Sequence, residues 1–337
     1  MILEDFEYQS AESLSEAAAL LARFGPGARI MGGGTDLLPN MRLEIVRPTT
    51  IIGLRSIGAE PPRVTPEGGL RIDALTTLAT IAHSELILTK VPMLAESARV
   101  VGSNQVREMG TLAGNLCQDT RCLQLNQKHD YQFKAPCFKR GGECCYPFPN
   151  NRPGICWSVH MSDIAPALIA LSAELVTVRA AGGRRLAVEE LFSGDGMRPI
   201  CLEPDEIIRE VVTPPLPKNF GWGYHKSSRR GGFEYGMAVF AVALSLEASL
   251  RTCAEARIVI GAIRERPVRA RAAERALIGQ PIDDALIAST VASAIEEAKP
   301  LQHHGFTRSY LIDTIRVYLR RTLVRAVERG RELSSTT

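Results

Sequence analysis

Ala28-Arg29-Ile30-Met31-Gly32-Gly33-Gly34-Thr35-Asp36-Leu37-Leu38-Pro39 reads as a short strand running straight into a glycine nest. Glycines permit positive φ and let successive backbone N–H groups point into one concavity, which suits phosphate oxygens. A helical turn beginning near Thr35 would add its own N–H groups to the same anion site. The spacing is not G-x-G-x-x-G, and a triple glycine also makes a plain turn, so both readings stay open here. A second glycine stretch, Gly110-Thr111-Leu112-Ala113-Gly114-Asn115, lies within Val106–Leu116. It reads either as a wall of small residues that lets a ligand reach the backbone or as a glycine bulge in a strand.

Directly after it the composition changes. Cys117, Cys122, Cys137, Cys144, Cys145 and Cys156 are six of the eight cysteines, set among Asn, Gln, Lys, Gly and Pro with little periodicity. A loop that long inside a compact domain is functional or disordered, and six cysteines argue for something that ties it down. Disulfides need an oxidising compartment, and Met1-Ile2-Leu3-Glu4-Asp5 has neither the basic start nor the apolar core of a signal peptide. Structural zinc favours close C-x-x-C pairs, and none occurs here. An iron–sulfur cluster needs four converging thiolates with looser spacing, and the steps 122→137→145→156 suit a loop wrapped around one. From the residues alone, cluster and zinc both remain open. Six incidental core thiols fit poorly with such polar neighbours.

The whole chain has 337 residues, which suggests two or three domains. Hydrophobic residues make up 45% and charged residues 23%, a soluble globular balance. A net charge of +3 is too mild to argue for nucleic acid, and no apolar run approaches a membrane span. The expected location is the cytoplasm, with reduced thiols.

Ser13-Leu14-Ser15-Glu16 matches a capping box and opens a helix stopped by Gly25. Strands are expected over Ala28–Met31, Thr50–Ile57 and Leu70–Ala74, with helices over Thr76–Leu86 and Val91–Val101. Ser162-Asp163 caps a helix to about Ser172, and Leu175–Arg179 with Arg185–Val188 form a hairpin. Glu206–Val212 is a strand, and the Pro214–Asn219 segment marks a boundary. Beyond it come long strands, Gly221–Ser227, Met237–Leu246 and Ala254–Ile263, and long helices, Asp283–Ala298 and Tyr310–Arg331. That segregation is the pattern of an α+β layer. Arg316, Arg320, Arg321, Arg325 and Arg329 on the last helix read as a solvated face or as a surface for an acidic partner.

Taken together, Ile30-Met31-Gly32-Gly33-Gly34-Thr35-Asp36-Leu37, Thr111-Leu112-Ala113-Gly114-Asn115, Ser162-Asp163 and Lys226 resemble, in order and spacing, the FAD-binding subunits of molybdenum hydroxylases. The resemblance covers nearly the whole chain. It implies an α+β fold: a two-part FAD-binding domain of the PCMH type over 1–217, with lobes of roughly 1–55 and 56–217. A C-terminal α+β domain over 218–337, as in the carbon monoxide dehydrogenase flavoprotein, would follow. By the same resemblance both glycine loops hold FAD, Val101 sits beside the isoalloxazine, Asp163 hydrogen-bonds the cofactor, Ile208 packs on it and Lys226 places a positive charge near the ring.

The insertion at about 117–160, opening Gly114-Asn115-Leu116-Cys117-Gln118-Asp119-Thr120-Arg121-Cys122, is similar to one branch, the β subunits of 4-hydroxybenzoyl-CoA reductase. There it holds a [4Fe-4S] cluster, so the implied ligands are Cys122, Cys137, Cys145 and Cys156. Cys144 competes for the third position. The implied chain is an oxidoreductase subunit that moves electrons and carries no catalytic residue of its own. Its partners would be a molybdenum–pterin large subunit and a [2Fe-2S] small subunit, as a dimer of heterotrimers, with a ferredoxin-like external carrier and neither nucleic acid nor membrane. A hydroxylase for another aromatic or heterocyclic substrate, and a zinc-stapled scaffold, are the alternatives. The cysteine loop is expected to stand apart from the glycine loops, so that FAD stays bound when a cysteine is lost.

Overall fold

The computed structural model describes residues 3–127, 135–151 and 154–334; the ends of the chain and residues 128–134 and 152–153 of the cysteine insertion lie outside them. Strands β1 (Glu7–Ser10), β2 (Ala28–Met31) and β3 (Thr50–Gly53) form a small parallel sheet in the order β1-β3-β2. Parallel neighbours need a crossover, and helix α1 (Leu14–Phe24) supplies the one from β1 to β2. It starts where Ser13 Oγ accepts the Glu16 N–H at 3.1 Å and stops at Gly25, φ +62°. Helix α2 (Leu37–Arg42) follows the glycine nest.

A second, antiparallel sheet has the order β4-β5-β8-β6-β7, from β4 (Arg63–Val64), β5 (Leu70–Asp73), β6 (Glu174–Val178), β7 (Arg185–Ala187) and β8 (Ile207–Thr213). Between β5 and β6 run α3 (Leu78–His83), α4 (Glu85–Lys90), α5 (Pro92–Arg99), α6 (Asn104–Met109), α7 (Leu112–Leu116) and, after the insertion, α8 (Ala165–Ala170). The single helix expected over Thr76–Leu86 is two, because Ser84 ends one and caps the next, accepting from the Ile87 N–H at 3.4 Å. The strand reading of Val106–Leu116 is overturned. Ser103 and Thr111 each cap a short helix there, and the side-chain cap outweighs the weak strand tendency of Val106. The cap of α8 falls at Ile164, which makes no side-chain cap, rather than at the expected Ser162-Asp163; Ser162 Oγ still accepts the Ala165 N–H at 3.0 Å, the first of the helix.

After the Pro214–Asn219 segment comes a third, antiparallel sheet, β12-β11-β10-β9, from β9 (Phe220–Ser227), β10 (Ala238–Leu246), β11 (Cys253–Gly261) and β12 (Val268–Arg269). All nine residues of β10 are buried. Successive side chains point to opposite faces, so Val239, Ala241 and Ala243 join the core beneath α5 and α8. Phe240, Val242 and Leu244 join a second core under α9 (Arg271–Leu277), α10 (Asp284–Ala298) and α11 (Arg308–Ser334). The fold is α+β, and among the described residues no helix is long and apolar enough to cross a membrane.

The arginines of α11 have partners in this chain. Arg325 and Arg329 each lie 3.6 Å from Glu96, Arg320 pairs with Asp284, Arg316 with Asp313, and Arg321 lies over the Tyr318 ring. Helix α11 can lie close on β9 because Gly221 and Gly223 face it. A Cβ at Gly221 would stand 2.0 Å from Ala326 O, and one at Gly223 2.2 Å from Thr322 O. Gly223→Ala should therefore push α11 off the sheet and cost about 1–3 kcal/mol. A urea midpoint unchanged from the wild type would show that the helix is not seated on those glycines.

Candidate functional site

Where β2 ends, the chain turns through Gly32 and Gly33 and reverses at Gly34, φ +70°. A Cβ at Gly33 would lie 1.7 Å from Met109 O. Only glycine permits that approach, so the first glycine loop lies against the end of α6, just before the second. The second is held in turn by Leu78 N–H on Gly110 O, Leu112 N–H on Thr76 O and Ala113 N–H on Ala74 O, all 2.9–3.0 Å. Together the loops bound a cavity of about 560 Å³. Ile30, Met31, Gly32, Gly33, Thr35, Asp36 and Leu37 form one wall, Thr111, Ala113 and Gly114 a second, and Ile208 of β8 a third. That size and mix of apolar and polar lining suit a large cofactor.

The cysteine insertion completes the cavity rather than standing apart from it. Cys117, Asp119 and Lys139 line it. Asp36, expected against the cofactor, also anchors this wall. Its carboxylate pairs with Arg121 and accepts from Asp119 N–H at 3.0 Å and Asn40 Nδ2 at 3.1 Å. Burial raises the Asp36 pKa, and Arg121 opposes the shift. The ends of the insertion are clamped by paired backbone hydrogen bonds between Arg121 and Val159. Arg140 reaches across to Leu43 O at 3.0 Å. Asp119, Arg121 and Lys139 carry no periodic signal, and charged loop residues ordinarily read as solvated.

Gly34, Val101, Leu112, Asn115, Asp163 and Lys226 do not line this cavity. Gly34 makes the turn, Leu112 is core, and Asn115 Oδ1 accepts from Ser162 Oγ at 2.6 Å. The rest form a second, buried group. Lys226, on β9, donates to Asp163 Oδ2 at 2.7 Å and to Val100 O at 2.9 Å, beside Val101. Tyr224 Oη donates to Asp163 O at 3.0 Å. The charge expected at Lys226 is thus already matched by Asp163. Burial still pushes the Asp163 carboxyl up to about 6, against the pull of Lys226. Asp163 Oδ1, also buried, has no hydrogen-bond partner among the described residues. An acceptor in that state fits a donor brought by a bound molecule.

All eight cysteines are thiols. Cys117 is driven up to about 12 by burial. Burial also raises Cys122, Cys145 and Cys156, and neighbouring sulfurs add to it: Cys137 at Cys122, Cys156 and Cys122 at Cys145, and Cys122 at Cys156. The charge of Lys139 opposes the shift at Cys122 and Cys156. Cys144 instead pairs its backbone with Cys137, its carbonyl accepting from Phe138 N–H at 2.8 Å. Among the described residues no group of three or more His, Cys, Asp or Glu side chains is arranged to hold a single metal ion.

Two families match the sequence: the FAD-binding domain in molybdopterin dehydrogenase over residues 4–216, and the carbon monoxide dehydrogenase flavoprotein C-terminal domain over 222–326. The chain is 31% identical over 302 residues to the aldehyde oxidoreductase FAD-binding subunit PaoB of Escherichia coli, covering 85% of this chain and 91% of that one. It is 26% identical to the carbon monoxide dehydrogenase medium chain of Afipia carboxidovorans, over 98% of this chain and all of the other. Among solved structures, a carbon monoxide dehydrogenase chain from Hydrogenophaga pseudoflava superposes with a TM-score of 0.79 at 25% identity, covering 98% and 99% of the two chains.

Beside the insertion, buried His160 packs against Phe192 with tilted rings, 4.7 Å between centroids, and shares a hydrogen bond with Leu116 O at 3.2 Å. Burial lowers it to about 4, as it does His303. A depressed histidine contributes stability above its ordinary value near 6.5 and loses it as pH falls towards 4. Asp163, raised, has the opposite sign and stabilises as pH falls through about 6. Replacing His160 with Gln should therefore shrink the loss of stability between pH 6.5 and 4.5. Equal losses in both proteins, by urea unfolding, would exclude His160 as a source.

Proposed function

Because the chain belongs to the FAD-binding subunits of the molybdenum hydroxylases, we propose that it is the electron-transfer subunit of a heteromeric molybdenum enzyme. It carries FAD and a [4Fe-4S] cluster and relays electrons between a ferredoxin-like carrier and [2Fe-2S] and molybdenum–pterin subunits. The complex is most like 4-hydroxybenzoyl-CoA reductase, which removes a hydroxyl from an aromatic acyl-CoA. FAD occupies the domain ending at 217. The cluster occupies the insertion at 117–160, and the domain from 218 closes over the flavin side. The observation that carries this reading is the composite cavity: two glycine loops in backbone contact, with part of its wall built from Cys117, Asp119 and Lys139 of the cysteine insertion.

FAD and the cluster supply paired and single electron exchange. The chain's own residues bind and tune. Gly32–Thr35 bring backbone close to the pyrophosphate, and Thr111–Asn115 close over the flavin. Ile208 covers the cofactor, and Val101 lies beside the ring. Asp163 offers its half-paired carboxylate, and Lys226 holds that carboxylate in place. Removing either member of such a buried pair costs about 3–5 kcal/mol, so the pair is a fixed part of the site. Cys122, Cys137, Cys145 and Cys156 hold the cluster. In support, Cys122, Cys145 and Cys156 act electrostatically on one another, and Cys137 acts on Cys122. A second reading, favoured by the identity with an aldehyde oxidoreductase subunit, keeps the same centres with electrons flowing outward from a molybdenum subunit that oxidises its substrate.

Gly33 is unsuitable for testing the FAD site, since any side chain there meets Met109. At Gly32 the nearest atom is Thr111 Oγ1, 3.1 Å from a Cβ, and a side chain can yield. Gly32→Asp should lose most bound FAD while keeping its circular dichroism; full flavin in that variant would remove the loop from the site.

For the cluster, anaerobically prepared protein should contain iron and acid-labile sulfide. Cys145→Ser should lose both, whereas Cys144→Ser should retain them. Zinc in their place would assign the insertion to a scaffold, and the reverse result in the two variants would make Cys144 the ligand.

A further inference from the structure

The cysteine insertion also lines a second, smaller cavity of about 310 Å³, shared with the turn that precedes α11. Phe148, Trp157 and Val159 come from the insertion, and His303, His304 and Phe306 from the turn. The Phe148 and Trp157 rings lie 5.8 Å apart, tilted by 53°. Phe306 is fixed by stacking on Tyr310, 5.9 Å between centroids, and by paired backbone hydrogen bonds with His303 at 2.8 and 3.3 Å. Aromatic walls of this kind take a flat ring. Of the cysteines assigned to the cluster only Cys122 lies on this lining, and no residue lines both this cavity and the one between the glycine loops. It is a separate site.

The lining is one-sided in charge. It holds Arg121 and, among the described residues, no aspartate or glutamate. Arg121 is 7% exposed, and its two terminal nitrogens go to Asp36 and Asn40. Its Nε–H, also buried, has no partner among the described residues, and neither has His303 Nε2 in the same lining. Thr307, a further lining residue, caps the 27-residue α11, its Oγ1 accepting from Tyr310 N–H at 3.3 Å. No residue of the first turn of α11 is acidic, so the positive end of the helix is uncompensated there. Arginines also stand over the aromatic walls, Arg229 at 4.7 Å from the Phe306 centroid and Arg264 at 5.6 Å from that of Trp157. A buried donor without an acceptor is costly, and an anion supplies one through a charge-assisted bond.

We propose that this cavity binds a small aromatic carboxylate. The ring packs among Phe148, Trp157 and Phe306, and its charge is balanced by Arg121 and the first turn of α11. The volume is at the lower end for ligand cavities, which suits a single-ring molecule and is too small for a dinucleotide. The site draws on neither FAD nor the cluster, so it goes beyond the electron-transfer reading.

The test is calorimetric titration of the intact protein, purified with its flavin, with benzoate, benzyl alcohol and acetate. Benzoate should bind saturably at one site, by about tenfold or more over either of the others, because only it offers both ring and charge. Trp157 is one of two tryptophans, and the other, Trp222, lies under Arg329. In Trp222→Phe protein benzoate should therefore quench the remaining indole emission. Leu123, on the same lining, is 49% exposed, so Leu123→Asp leaves the fold intact. It adds a negative charge to the lining and should weaken benzoate by about tenfold with FAD content unchanged. Phe306→Ala should weaken it as well; if that variant does not fold, Leu123→Asp decides. Benzyl alcohol or acetate binding as tightly as benzoate overturns the proposal, since the charge or the ring is then not read. Absence of saturable heat, unchanged indole emission, or full benzoate affinity in Leu123→Asp overturns it too. Benzoate that displaces FAD belongs in the glycine-loop cavity, and that result also sinks the second site.

Discussion

Strand β10 is apolar on both faces, and that constraint organises the molecule. Nine consecutive buried residues need a packed layer on each side. On one side α11 and α10 supply it, with Gly221 and Gly223 of β9 allowing the long helix to settle against the sheet. On the other side the layer is α5 and α8, which belong to the FAD-binding part of the chain. The third sheet is thus the shared wall of two cores. Its register pairs Lys226 with Val239 and Tyr224 with Ala241, so both polar side chains face the FAD-binding side. Burial of β10 thereby delivers Lys226 and Tyr224 to Asp163.

The site follows a similar rule: groups that would be costly alone are kept in sets. Asp163 and Lys226 are each nearly inaccessible and are held by one another and by Val100 O. Asp36, Arg121 and Asn40 form a second such set, and Asp119, Lys139 and Thr120 a third. Paired charges leave the low-dielectric interior with little net field. The exceptions are informative, because a half-paired carboxylate at Asp163 is an acceptor in want of a donor.

Much of the fold was legible from local signals. Ser13 and Gly25 bound α1, and the apolar runs of β10 and β11 announce strands, because caps and periodicity act over a few residues. Less visible were β1, whose Glu-Tyr-Gln-Ser residues are mostly exposed, and α9, which is short. The break at Ser84 and the helices around Thr111 were also misread. There a hydroxyl cap, a single atom, decides against the pattern of the surrounding residues.

From the sequence alone came the residue types the site uses: two glycine loops, a buried carboxylate, a lysine and a cysteine-rich insertion. Their order along the chain was enough to indicate the family. Only the tertiary structure decided what those parts touch. Gly33 meets Met109, Asp36 meets Arg121, Asp163 meets Lys226 and Cys156 meets Ser158, which bonds to Thr120. All but the Cys156–Ser158 contact join residues far apart in the chain. Long-range pairing has no local signature, because it depends on which surfaces remain to be buried once each local element has formed. For that reason the insertion, which reads as a separate loop, is a wall of the cavity.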